Sequence, residues 1–129
     1  MIKKITPVLI VNRIEPLLPL WDALGFARAA EVPHGDALGF VILTRDGVEV
    51  MYQTFDSVRG DEANVLEGAR AIGASAVFIE VADLDALKAQ IPDGTEIIAD
   101  SRTTFYGSTE TIVRDAAGNV ITFAQFAAS

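Results

Sequence analysis

The chain has 129 residues, half of them apolar, so it can bury the core of one ordinary domain without metal or disulfide crosslinks. It contains no cysteine, which excludes disulfides and thiol nucleophiles, and its single histidine, His34, cannot form a histidine cluster. The formal net charge of -8 argues against nucleic-acid binding, since phosphate contacts require clustered lysine and arginine. The same charge would favour a cationic ligand, although solubility alone also accounts for it.

The amino-terminal stretch predicts a strand followed by a helix. Residues 5–11 form a short apolar run rich in β-branched side chains, which indicates a strand buried on both faces. Asn12 and Glu15 have the spacing of a capping box, and an apolar stripe then continues to Gly25, which ends the predicted helix. Pro19 lies deep in this helix for a proline.

Three further strands and a connector are predicted next. The second and third of these strands are joined by Asp46-Gly47, a strong signal for a two-residue hairpin turn. The strands are expected at 26–32, 38–45 and 48–53. Residues 54–74 read as a connector carrying one short helix, capped by Asp61 and ended by Gly73.

The second half of the chain repeats the order of the first. A strand at 74–81 precedes a helix at 83–91, which Asp83 caps and Pro92 ends. Three strands follow, at 95–101, 108–114 and 119–126. We therefore predict one α+β domain of two βαβββ modules, with module one at 1–55, a connector at 56–74 and module two at 75–129.

Two motifs carry a resemblance to a known family. "WDALGF" closes the first helix, and "VRDAAGNVITFAQ" closes the second module, with Ala116 where the family usually has proline. With the paired modules, these motifs resemble the vicinal oxygen chelate superfamily, also called the glyoxalase/bleomycin resistance protein/dioxygenase family. The resemblance implies curled mixed sheets around a shared cleft, commonly in a homodimer. Its members are metal enzymes or metal-free proteins that bind drugs.

The resemblance also implies four metal-ligand positions, near the start of each module's first strand and in the middle of its last strand. Metal-dependent members have His, Gln or Glu there. Carried over by motif, the positions fall on Thr6, Val50, Ala76 and Thr122. Glu49 adjoins Val50, but a shift of one residue turns a strand side chain to the opposite face, so we expect Glu49 to point away from the cleft. His34 is interpreted as an exposed loop residue, and no metal or cofactor is predicted.

Strand alternation then predicts the residues that line the cleft. A turn at Asp46-Gly47 makes directly opposed residues of the flanking strands share a face. In module one the cleft pairs are Arg45 with Val48, Leu43 with Val50 and Val41 with Tyr52, while Phe40, Ile42 and Met51 pack under the helices. In module two the cleft residues are Arg114, Ile112, Glu110, Val120, Thr122 and Ala124, together with Ala76, Phe78 and Glu80 of the first strand.

The candidate ligand-binding residues are Tyr52, Phe78, Glu80, Glu110, Thr122, Arg114 and Val50. Carboxylates beside aromatic rings suit a cationic, partly planar ligand. Alternatively, Glu80 and Glu110 lie at solvated strand ends or form ion pairs with arginine, and the aromatic residues belong to the core. Phe105-Tyr106-Gly107 is interpreted as a lip over the cleft or a dimer contact.

These observations predict a metal-free small-molecule binding protein, with cationic aromatic drugs as the candidate ligands. The alternative is a lyase, isomerase or dioxygenase of the same superfamily that uses a cleft carboxylate as general base or a non-standard metal site. A third interpretation is a vestigial cleft in a protein whose role is association. Since no apolar run approaches the ~20 residues of a membrane helix, we expect no membrane partner and a cytoplasmic location. The family resemblance implies a homodimer.

Overall fold

The computed structural model describes residues 3–59 and 75–127. They form two four-stranded mixed sheets with few helices, which confirms the predicted α+β class and the repeated order of elements. The chain divides into two compact units, residues 1–73 and 74–129. The predicted connector helix between Asp61 and Gly73 lies outside the described residues.

Module one contains two short helices and a sheet with the strand order β1-β4-β3-β2. Strand β1 is parallel to β4, and the other neighbours are antiparallel. A single 3₁₀ turn at Glu15–Leu17 leads into the first helix. The elements are β1 (Val8–Val11), α1 (Leu18–Ala23), β2 (Ala27–His34), β3 (Ala37–Arg45), β4 (Val48–Thr54) and α2 (Phe55–Arg59).

The start of module one differs from its prediction in two respects. Strand β1 lies at the sheet edge and is buried on one face only, with Leu9 and Val11 buried while Ile5 is exposed. The capping box is also wrong, because Glu15 instead accepts a hydrogen bond from the Leu38 backbone N–H at 2.7 Å. Helix α1 begins only at Leu18, so Pro19 lies in its first turn, where a missing N–H is tolerated.

The predicted strand register of module one is confirmed. Arg45 opposes Val48, Leu43 opposes Val50 and Val41 opposes Tyr52. The turn residues Asp46 and Gly47 both have positive φ, at 51° and 80°. This backbone conformation matches the right-handed twist of the flanking strands and so determines which residues pair.

The prediction that these pairs face the cleft is wrong. The Trp21 indole of α1 donates a hydrogen bond to the Tyr52 hydroxyl at 3.2 Å, inside the core. Four residues of this face are 0–4 % exposed and lie under α1: Val41, Leu43, Val50 and Tyr52. Phe40, Ile42 and Met51 point to the other side of the sheet. The predicted face rests on the metal-ligand position carried over to Val50, and an error of one residue in that position reverses the face of the strand.

Module two has the strand order β5-β8-β7-β6, again with one parallel pair. Its helix begins as predicted, because the Asp83 side chain accepts the Ala86 N–H at 3.1 Å. The elements are β5 (Ala76–Glu80), α3 (Leu84–Lys88), β6 (Glu96–Thr103), β7 (Ser108–Arg114) and β8 (Val120–Phe126).

Helix α3 packs on one face of the module-two sheet. The Leu84 N–H donates to the Gln125 side chain at 2.7 Å, and the residues of that face, Thr111, Val113, Ile121 and Phe123, are 0–1 % exposed. The opposite face carries no helix of residues 3–59 and 75–127 and is here called the helix-free face of module two. It has the predicted pairing of β5, β7 and β8. It consists of Ala76, Phe78, Glu80, Glu110, Ile112, Arg114, Val120, Thr122, Ala124 and Phe126.

The turn between β7 and β8 is organised by Asp115. Its carboxylate accepts the Ala117 N–H at 2.9 Å, the Asn119 N–H at 2.8 Å and the Asn119 side-chain amide at 3.1 Å. Asn119 in turn accepts the Ser75 N–H at 2.8 Å, immediately before β5. The "RDAAGN" motif therefore holds three strands of the sheet together at one end.

Candidate functional site

A row of aromatic rings crosses the helix-free face of module two. The ring centroids of Phe78 and Phe126 are 6.3 Å apart, as are those of Phe126 and Tyr106. Phe105 continues the row, edge-on to Tyr106 at 5.1 Å. The four side chains are between 39 % and 100 % exposed. Clustered exposed aromatic surface is costly in water and is typical of a recognition site.

The loop between β6 and β7 brings Tyr106 to this row. Gly107 has a φ of 93°, which permits the tight reversal, and its carbonyl accepts the Ala127 N–H at 3.2 Å. The Thr104 and Ser108 hydroxyls are 2.8 Å apart and close the base of the loop. The loop therefore folds toward the end of β8, which carries Phe126.

Glu110 lies beside the aromatic row and is 1 % exposed. One carboxylate oxygen accepts hydrogen bonds from the Tyr106 hydroxyl and, at 2.9 Å, from the Ser108 hydroxyl. The other accepts Arg102 Nη2 at 3.1 Å. The Tyr106 hydroxyl is the main cause that lowers the pKa of Glu110, against the opposing effect of desolvation, with Ser108 and Arg102 contributing further. Glu110 is thus held as a charged acceptor.

Glu80 occupies a different environment on the same face. It ends β5, its neighbour across the ladder is Ala124, and it lies two positions along the strand from Phe78. Its side chain is exposed. Within residues 3–59 and 75–127, no hydrogen bond or ion pair joins the Glu80 carboxylate to another residue. Its charge therefore faces solvent beside the aromatic row.

The remaining predicted residues of module two frame this site. Thr122 is half-buried between Phe78 and Ile112 on the neighbouring strands. Arg114 forms an ion pair with Glu96 at 2.9 Å. The arginine that forms an ion pair with Glu110 is Arg102 and not Arg114. The alternative interpretation, in which Glu110 is tied to an arginine, therefore holds for Arg102.

In module one, the predicted residues are not brought into a comparable site. Val50 and Tyr52 lie in the core beneath α1. Glu49 lies on the face away from α1, contrary to the expected orientation, where it accepts the Thr6 hydroxyl at 3.2 Å and Lys4 Nζ at 2.9 Å. The Lys4 hydrogen bond lowers the pKa of Glu49.

The donor set does not fit the family's divalent metal centre. In module one, Glu49 is a suitable ligand but its neighbour Thr6 is not, and in module two Ala76, Phe78 and Thr122 offer no nitrogen or carboxylate donor. Across the part of the chain that the structure describes, no three His, Asp or Glu side chains are grouped closely enough to hold a metal ion. No metal-dependent chemical step is therefore proposed for these residues.

Four residues around the aromatic row were not among the candidate ligand-binding residues: Arg102, Phe105, Tyr106 and Phe126. Phe126 continues the alternation of Thr122 and Ala124, so the period of the strand could have identified it. Tyr106 was considered only as part of an aromatic loop. The position of Arg102 opposite Glu110 depends on register shifts in the β6–β7 pairing, which no periodic pattern indicates.

Solved structures share this fold over nearly the whole chain. A glyoxalase/bleomycin resistance protein/dioxygenase from Nocardioides has a TM-score of 0.69 at 15 % identity, covering 98 % of this chain and 85 % of that one. A bleomycin-binding protein complexed with bleomycin has a TM-score of 0.65 at 17 % identity, covering 98 % and 100 %. TnmS3, an antibiotic-binding protein from Streptomyces sp. CB03234, has a TM-score of 0.62 at 15 % identity, covering 98 % and 99 %.

At the level of sequence, no family model and no curated protein matches the chain. The structural comparisons nevertheless confirm the resemblance that the two motifs predicted: the chain has the fold of the glyoxalase/bleomycin resistance protein/dioxygenase superfamily. Among the helices of the described residues, none is long and apolar enough to cross a membrane.

Proposed function

We propose that the protein binds small molecules with a planar aromatic part, without a metal, on the helix-free face of module two. The observation that carries this proposal is the row of exposed rings formed by Phe78, Phe126 and Tyr106. Planar ligands stack on such rings and remove their apolar surface from water. The bleomycin-binding and antibiotic-binding proteins of the same fold support a small-molecule ligand.

The enzymatic alternative has less support. A general base works best when its pKa lies near the working pH. The hydrogen bond from Tyr106 moves the pKa of Glu110 in the opposite direction, below its ordinary value. Arg102 and Ser108 stabilise the same charged form. This environment favours a structural carboxylate over a proton acceptor.

Fluorescence titration with acridine, a planar aromatic probe, tests the proposal. Phe78→Ala and Phe126→Ala should each weaken binding about tenfold, because each removes one stacking partner worth about 1–2 kcal/mol. Ile97→Ala is the matched control, since it removes an exposed apolar side chain from the opposite face of the same sheet. Failure of acridine and of bleomycin to bind, or equal weakening by the control, would reject the aromatic site.

Metal analysis of the purified protein addresses the second part of the proposal. We expect less than stoichiometric metal and unchanged acridine affinity after dialysis against a chelator. Stoichiometric metal together with turnover of a glutathione adduct or a catechol would favour the enzymatic alternative.

We further propose, as the family resemblance implies, that the chain is one domain that functions as a cytoplasmic homodimer. Light scattering should give twice the chain mass of 13.8 kDa. A mass that stays at the single-chain value over the working concentration range would contradict the dimer.

A further inference from the structure

We infer that Glu80 recognises a positive charge on the ligand, whereas Glu110 is a positioning residue that acts through Tyr106. The ligand class is accordingly a planar aromatic cation. This inference rests on the proposed function, because it assigns the charge preference of the same aromatic site.

The hydrogen bonds of Glu110 explain why it does not serve as the charge-recognising group. Both of its oxygens are engaged, one by the Tyr106 and Ser108 hydroxyls and the other by Arg102. The guanidinium of Arg102 neutralises its charge at 3.1 Å. With 1 % exposure, Glu110 also presents almost no surface to an incoming molecule. A cationic group would have to displace an existing cation to reach it.

What Glu110 does is hold Tyr106. The tyrosine belongs to a loop, and its ring contacts Phe126 on the last strand. The hydroxyl at the far end of the same ring donates to Glu110, which belongs to the central strand β7. These two contacts fix the ring at both ends. A stacking surface that is already ordered loses less entropy when a ligand binds.

Glu80 has the opposite properties. It is exposed, and no described residue neutralises it. Because Glu80 and Phe78 are two positions apart on one strand, their side chains leave the same face about 7 Å apart. A ring stacked on Phe78 would thus bring a substituent amine within reach of the Glu80 carboxylate.

Charge complementarity selects a cation as the occupant. The face offers an unpaired carboxylate beside the electron-rich faces of aromatic rings, and both attract positive charge. The formal net charge of -8 adds long-range attraction for a cation. The same charge disfavours a second copy of this chain on the face, since two unpaired Glu80 carboxylates would be brought together.

The experiment compares proflavine with acridine at mildly alkaline pH. The two probes share one tricyclic ring system, but only proflavine carries a positive charge under these conditions. Glu80→Gln should weaken proflavine binding about threefold to fivefold and leave acridine binding unchanged. Added salt should weaken proflavine binding to the parent protein more than binding to the variant. Glu31→Gln, which removes an exposed carboxylate from module one, is the control for net charge.

Glu110→Gln should instead weaken both probes by the same factor. Tyr106→Phe should do likewise, because it removes the donor of the Tyr106–Glu110 hydrogen bond, whereas Glu110→Gln replaces its charged acceptor with a weaker neutral one. The double variant should bind no more weakly than the weaker-binding single variant, because both changes act on this one interaction. Tyr106→Phe should also raise the pKa of Glu110 measured by NMR, a readout that a merely structural tyrosine would not change.

The outcomes separate the two proposals. If neither acridine nor bleomycin binds the parent protein, the aromatic site itself is rejected. If acridine binds normally but Glu80→Gln changes neither probe, or both alike, the charge assignment is overturned while the site remains. A selective loss of proflavine binding in Glu110→Gln would reverse the roles of the two carboxylates.

Discussion

An Arg-Asp pair precedes the last strand of each module, Arg45-Asp46 before β4 and Arg114-Asp115 before β8, and the two aspartates should respond very differently to the same substitution. In module two, Asp115 is 8 % exposed and accepts three hydrogen bonds within its turn. In module one, Asp46 is 83 % exposed and pairs only with the adjacent Arg45, at 3.1 Å, among the described residues. Asp115→Asn and Asp46→Asn are therefore matched variants of one motif in two environments.

The magnitude for Asp115→Asn follows from its contacts. The new amide oxygen can still accept the two backbone N–H groups of Ala117 and Asn119, but as neutral bonds, which are weaker by about 0.5–1 kcal/mol each. The new NH₂ group faces the side-chain NH₂ of Asn119, so the third bond is lost, at about 1 kcal/mol. The free energy of unfolding should fall by about 2–3 kcal/mol. Asp46→Asn should change it by less than about 0.5 kcal/mol, because asparagine tolerates the positive φ and the ion pair is exposed.

Urea denaturation followed by far-UV circular dichroism measures both values. Equal losses of unfolding free energy in the two variants, or a loss below about 0.5 kcal/mol for Asp115→Asn, would contradict this prediction. Either result would mean that the network around Asn119 and Ser75 does not hold the ends of the strands.

Two further predictions concern buried hydrogen bonds. Tyr52→Phe leaves the buried Trp21 indole N–H without its hydroxyl partner. The free energy of unfolding measured by urea denaturation should fall by about 1–3 kcal/mol, and the acridine affinity should stay unchanged. A variant of unchanged stability but altered acridine affinity would instead place Tyr52 at the ligand site. Because Tyr106 lowers the pKa of Glu110, the stability that this carboxylate contributes is fully present above its ordinary pKa of 4.5 and is lost as the pH falls through the lower, folded-state value. Glu110→Gln should therefore lose less stability than the parent protein on acidification below pH 4.5, and parallel pH profiles would contradict this assignment.

Local sequence signals predicted the strand pairing but not always the face. The Asp46-Gly47 turn sets the register of β3 and β4, because its positive φ angles close the hairpin directly. Which of the two alternating sets packs under α1 depends on where the helix crosses the sheet, and no local signal specifies that. The prediction for Tyr52 is therefore wrong about the face of the sheet, although its pairing with Val41 is confirmed.

For a similar reason, only some residues of the proposed site were predicted from the sequence. Phe78, Glu80 and Glu110 follow from strand alternation once the register is known. Their different roles depend on Tyr106, which arrives from a loop, and on Arg102, which reaches Glu110 across an irregular strand pairing. Loops and irregular strand pairings of this kind leave no periodic pattern in the sequence, so these contacts could not be predicted from it.

The function proposed for the helix-free face of module two is the binding of planar aromatic molecules. An NMR titration of isotopically labelled protein with acridine tests it most directly. We predict that the largest amide shift changes occur at Phe78, Tyr106, Thr122 and Phe126, with little change at Val50 in the core of module one. Changes centred on module one, or none at millimolar acridine, would contradict the claim.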